Sequence, residues 1–118
     1  MKKFLAIYIG TEDARKKAQW DKLDSAQRRA REASGIEAWM KWGGDNAVAT
    51  VDQGGPLGKT KRASPSGIAD TKNAMTGYVI VQAESHEAAA KMFENHPHFS
   101  IFPGDSVEIM ECLPLPEM

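Results

Sequence analysis

One cysteine, Cys112, stands in a chain of 118 residues. A lone thiol closes no internal disulfide, so the fold must rest on its apolar core, and a reducing cytoplasm is the expected location. Long hydrophobic runs are missing as well. The most apolar stretch, KFLAIYI at 3–9, falls well short of the ~20 residues that cross a bilayer, so no membrane partner is expected. Its position near the start has the outline of a signal peptide. It runs instead into Gly10 and an acidic TED, with no small-residue cleavage site, which favours a first β-strand. Excess charge is absent too: the net charge is −1. Basic residues are interleaved with acidic ones and no aromatic-basic stacking pattern accompanies them, which argues against nucleic acid.

Cofactor signatures are also lacking. GGPLGKT at 54–60 has the look of a phosphate loop, but the pattern needs glycine where Gln53 stands and a helix after Thr60. A glycine turn leading into a basic strand is expected there, and no cofactor. KRAS around Ser64 offers a serine beside basic residues, and nothing more marks it for modification.

What is present is an ordinary globular composition, 42% hydrophobic and 26% charged, enough for a single domain over 1–118 with one modest core. The charge is unevenly spread. Residues 1–42 carry ten Lys/Arg against six Asp/Glu, and residues 84–118 carry one against seven. Complementary surfaces, within or between chains, would follow from that asymmetry; solvated helix faces are the plainer meaning.

Residues 11–24 are polar and helix-compatible, with Thr11 or Asp13 as a cap. Asp24 with Gln27 three residues on forms a capping box, and the helix it opens should run to Trp42 and stop at Gly43-Gly44. At 100° per residue Ala26, Ala30, Ala33, Ile36 and Met40 share one side, and Trp39 and Trp42 lie roughly opposite. NAVATV (46–51) reads as a second strand. The connection 52–76 is longer than loops usually are, with a short strand near TKRAS. GYVIVQA (77–83) is a third strand. Ser85 caps a helix HEAAAKMFEN that Pro97 ends, SVEIMEC (106–112) is the last strand, and LPLP (113–116) is an extended tail.

The order β-α-β-β-α-β is α+β and ferredoxin-like: a four-stranded antiparallel sheet with two helices on one face. Phe4, Ala6 and Tyr8 oppose Leu5, Ile7 and Ile9, and both sets are largely apolar. Strands apolar on both sides are buried on both sides. Two helices cover one side, so a second copy of the chain is expected on the other, giving a homodimeric barrel. Each fully buried side chain of this kind is worth ~1.5–3 kcal/mol.

SGIADTKNAMTGYVIV (66–81) resembles the motif of the YCII-related, DGPF-type proteins. Gly67, Ala69, Thr71, Lys72 and Gly77 match it, with Asp70 for its Glu, Met75 for its Leu and Tyr78 for its Phe. The motif's Pro is missing and Ile68 replaces its Phe. The order of elements is similar over nearly the whole chain, including NHPHF and the closing GDSVEIMECLPLP. The resemblance implies a dimeric α+β barrel with a cleft between helices and sheet. Some members look like small enzymes with a His–Asp pair in that cleft, the histidine on the first helix and the aspartate before a proline. Here the pre-proline residue is His96 and residues 24–42 contain no histidine, so that pair is absent.

Candidate site residues concentrate in NHPHFSIFPGD. His96 falls on the inward side of the last helical turn, where the helix dipole favours imidazolium. It is either a packed histidine bonded to a carbonyl or a general acid/base facing the cleft with Asp105 orienting it. His96 and His98 form an H-x-H pair that His86 or Asp105 could complete as a metal site, but Pro97 keeps the two rings from having to converge, and no metal is expected. Trp39 and Trp42 face solvent, a partner, or the 52–76 connection, where they could wall an apolar pocket. Tyr8 and His98 join them as ligand-facing residues, and Lys72 is placed at the rim beside Asp70. Cys112 follows the alternation of Met110 and reads as a buried thiol.

Three functions remain open: a homodimeric barrel binding a small, partly apolar or aromatic molecule; an enzyme of lyase, isomerase or dehalogenase type with His96 as acid/base; and a protein-interaction scaffold.

Overall fold

The structure, a computed structural model, describes residues 1–116. In chain order its elements are β1 (Lys2–Ile9), α1 (Glu12–Lys17), a 3-10 turn (Trp20–Lys22), α2 (Ser25–Asp45), β2 (Thr50–Pro56), β3 (Thr60–Ser64), β4 (Gly67–Thr71), β5 (Met75–Ala83), α3 (His86–Lys91), α4 (Pro97–Ser100) and β6 (Ser106–Glu111). The main sheet is antiparallel with order β2-β5-β1-β6, the ferredoxin-like arrangement expected from the element order. The chain is therefore α+β.

Side-chain alternation sorts the two faces. Across β1 and β5, Phe4 pairs with Val81, Ala6 with Val79 and Tyr8 with Gly77. On this side the core closes under Ala89 and Phe93, with Trp39 and Trp42 packed against it. Leu5 opposite Ile80, and Ile7 opposite Tyr78, form the other side, extended by Met110 beside Leu5. α2 and α3 both lie on the first side, so the second carries an apolar surface that they do not cover.

Local chemistry sets the helix starts. Thr11 Oγ1 accepts from Ala14 N at 3.0 Å, opening α1. In the capping box of α2, Asp24 accepts from Gln27 N at 2.8 Å and Gln27 accepts from Asp24 N at 3.0 Å. Such caps contribute ~1 kcal/mol.

The helix ends differ from expectation. α2 runs through Gly43 and Gly44 to Asp45, and neither glycine has positive φ. Asn46 closes it instead, its Nδ2 donating to the Trp42 carbonyl at 2.9 Å, so no left-handed glycine is needed. Residues 46–49 are consequently turn rather than strand, and β2 begins at Thr50. α3 stops at Lys91. Asn95 turns with φ +56, and Pro97 opens α4 rather than ending α3.

The inward side of α2 is the tryptophan side, a correction to the sequence reading. Ile36 and Met40 are 56% and 73% exposed, while Trp39 and Trp42 pack on the core. Gly35 is buried under the ring of Phe102, where a Cβ would collide with the ring. Alanines offer little area to bury, so the bulkier indoles take the core. Cys112 is exposed, not buried, because β6 ends at Glu111 and its alternation sends Cys112 to Met110's open side.

The 52–76 connection is structured. It carries most of β2 and a separate hairpin, β3–β4, in register from Thr60↔Thr71 to Ser64↔Gly67. Nearly all of the hairpin is exposed. A radius of gyration of 16.4 Å exceeds the ~13–14 Å of a compact chain this long, because this arm stands off the body. Among the described residues no helix is long and apolar enough to cross a membrane.

Candidate functional site

Tyr8 reaches the helix side near the end of β1, where Thr76 Oγ1 donates to its carbonyl at 3.0 Å. Opposite stands Gly77, at which a Cβ would crowd the Gly55 carbonyl at 3.2 Å and the Tyr8 ring at 3.3 Å. Across the gap, Trp39 and Trp42 descend from the C-terminal half of α2. The Trp42 indole is anchored, its Nε1 donating to the Met92 carbonyl at 2.8 Å. The rings of Tyr8 and Trp39 lie 5.0 Å apart. The third wall is an irregular stretch of β2. Gly54 adopts φ +58 against the Tyr78 carbonyl, and Asp52 holds the bend by accepting from Gly54 N at 2.8 Å. Only glycine fits there, for its φ and for the space.

These walls enclose a cleft of about 830 Å³. Tyr8, Trp39, Trp42 and His98 all line it, so the structure brings together four of the residues singled out from the sequence. Gln53, Gly54, Gly55 and Thr76 line it too, and sequence reasoning missed them. Their signal was the Gly54-Gly55-Pro56 break inside an otherwise extended segment.

His96, Asp105 and Lys72 are not brought to the cleft. His96 lies fully buried behind Tyr8, enclosed by Trp39 at 4.6 Å, Trp42 at 4.8 Å and Phe93 at 5.8 Å between ring centroids. It is the N-cap of α4, and its Nδ1 accepts from the His98 backbone N–H at 3.0 Å. The expected last-turn position and carbonyl partner are both replaced. Burial among these rings, then the nearby His98, pulls its pKa down to about 4, opposite to the rise a helix C-terminus would give. Asp105 makes no hydrogen bond to it. The Asp105 carboxylate accepts from Ser106 Oγ at 2.8 Å and acts on His98 through its charge. Lys72 is exposed just beyond β4, and Asp70 pairs with Lys61 rather than with it.

His98 occupies the place expected of His96. Its Nε2 donates to the Ile9 carbonyl at 2.7 Å. Burial lowers its pKa, partly opposed by that carbonyl and by Asp105. Tyr8 is pushed well above the ordinary phenol range by burial, so it stays protonated. His86 is remote from both, donating to the Ile109 carbonyl at 2.7 Å and stacked on Phe4. Among the described residues no three His, Cys, Asp or Glu gather as metal ligands would.

The fold has a solved counterpart. The 5-chloro-2-hydroxyhydroquinone dehydrochlorinase TftG of Burkholderia phenoliruptrix AC1100, in complex with 2,5-dihydroxybenzoquinone, is similar with a TM-score of 0.51. Sequence identity is 14%, over 92% of this chain and 90% of that one, which makes the likeness one of fold. The chain matches no protein-family model and no curated protein.

Proposed function

We propose that the protein binds a small, partly apolar or aromatic molecule in the cleft between α2 and the sheet. The observation that carries this reading is the meeting of Tyr8, Trp39 and Trp42 in one concavity of about 830 Å³. Small-molecule sites typically span ~300–1,000 Å³ and combine apolar walls with a few polar tips. Here Tyr8 and His98 are among the lining residues that carry such groups. TftG, a protein of similar fold, is in complex with a small oxygenated ring, which supports the same class of occupant.

That neighbour, a dehydrochlorinase, also favours a second reading, an enzyme of lyase, isomerase or dehalogenase type. The acid/base would then be His98, because His98 lines the cleft and His96 is sealed behind Tyr8. We further infer a homodimer through the open apolar side of the sheet, and kinship with the YCII-related proteins on the motif at 66–81. The face carrying Leu5 opposite Ile80 supports the first, and the matching residues of the motif support the second.

Tryptophan fluorescence tests the cleft directly, using acetophenone and indole as probes by absorbance-corrected quenching and thermal shift. Saturable responses that vanish in Trp39→Ala are expected, with Trp20, outside the cleft, as background. No saturable response in the wild-type protein would sink the reading and leave a scaffold role as the better account. His98→Gln separates the first two readings: intact binding with lost turnover favours the enzyme.

A further inference from the structure

His96 lies outside the cleft, yet its hydrogen bonds decide what the cleft offers. The His98 backbone N–H donates to His96 Nδ1 at 3.0 Å, so Nδ1 presents a lone pair. An imidazolium would place a proton there, against another N–H. The ring is therefore neutral and carries its proton on Nε2. Nε2 faces Tyr8 Oη at 3.4 Å, and the flanking rings of Trp39, Trp42 and Phe93 offer no lone pair. A buried N–H takes the partner available, so Nε2–H donates to Oη, in a long bond.

The phenol oxygen is then an acceptor towards His96, and its own proton lies elsewhere. With Nε2–H directed at the oxygen, the O–H turns away from His96. Among the described residues Oη has no other hydrogen-bond partner. Tyr8 lines the cleft, whose occupant can supply the acceptor this proton lacks. His98 does not compete as a donor through Nε2, which is engaged by the Ile9 carbonyl.

We propose that His96 is a positioning residue that turns the Tyr8 hydroxyl proton into the cleft, so that the site selects ring compounds presenting an oxygen acceptor, a carbonyl or an ionised phenol. This rests on the cleft being a ligand site, and it names the ligand's chemistry. Tyr8 supplies specificity; His96 acts only through it.

Two measurements test the proposal. Long-range ¹⁵N–¹H correlations of the wild-type protein at neutral pH read the His96 tautomer without any ligand. Nε2–H is expected, and an Nδ1–H signature overturns the proposal whatever the cleft binds. Affinities of acetophenone, an acceptor, and indole, a donor, are then compared in wild type and Tyr8→Phe. A net hydrogen bond is worth about fivefold to tenfold, so acetophenone should weaken by that factor while indole is unchanged. Equal effects on both probes overturn the selectivity while leaving the ligand site standing. If neither probe binds wild-type protein, the ligand site falls, and the selectivity with it.

Discussion

Gly104 lies flat against the imidazole of His98, where a Cβ would overlap both Cε1 and Nε2 of the ring. Its backbone N–H also donates to the His98 carbonyl at 2.9 Å, fastening the strand approach to α4. The position of the one histidine in the cleft thus depends on the smallest residue. Gly104→Ala should displace the ring, break its bond to Ile9 and destabilise the fold by about 1–3 kcal/mol, the usual cost of overpacking. Urea unfolding checks the stability, and the His98 ring resonances report the displacement.

The Trp42 indole holds the end of α2 to the segment after α3. Trp42→Phe keeps most of the apolar area but leaves the Met92 carbonyl without its donor. A loss of about 1–3 kcal/mol is expected. The urea midpoint should fall with an unchanged slope, since the surface exposed on unfolding is nearly the same.

Stability should fall in mild acid. In the unfolded chain His96 titrates near ~6.5, and in the fold its pKa is about 4. Between these values the unfolded state binds more protons, so stability rises with pH there. The contribution is fully present above ~6.5 and is lost as pH drops towards 4, with His98 acting in the same direction. Denaturation midpoints across that window give the slope. His96→Gln, which keeps an acceptor for His98 N–H, should flatten it; an unchanged slope would place the titration elsewhere.

The open side of the sheet tests the proposed assembly. Ile80→Lys places a charge beside Leu5 in the centre of that surface. If two sheets face each other, sedimentation at micromolar concentration should move from dimer to monomer while the fold persists by circular dichroism. A wild-type protein that already sediments as a monomer contradicts the dimer outright.

Much of the scaffold was legible because its signals are local. Alternation in 3–9 and 77–83 and the Asp24–Gln27 box each involve neighbours along the chain, and each matches the structure. NAVATV has β propensity, yet its first four residues form the turn that follows α2. Asn46 caps α2 and Thr50 Oγ1 bonds back to the Asn46 carbonyl at 2.9 Å, holding 46–49 as a turn. In the candidate site, Tyr8, Trp39, Trp42 and His98 were legible as residue types that build ligand walls. The positions expected of His96 and His98 are exchanged, His98 lining the cleft and His96 lying buried, where a turn with positive φ at Asn95 redirects the chain just before Pro97.

By itself the sequence determined which segments extend, where helices begin, and that the sheet would be apolar on both sides, since these follow from side-chain type at fixed spacing. The three-dimensional packing decided which side of α2 turned inward, which histidine met the cleft and which nitrogen of the other accepts a hydrogen bond. Those outcomes depend on volume and hydrogen-bond partners supplied by residues far away in the chain, such as Phe102 against Gly35 and Tyr8 against His96.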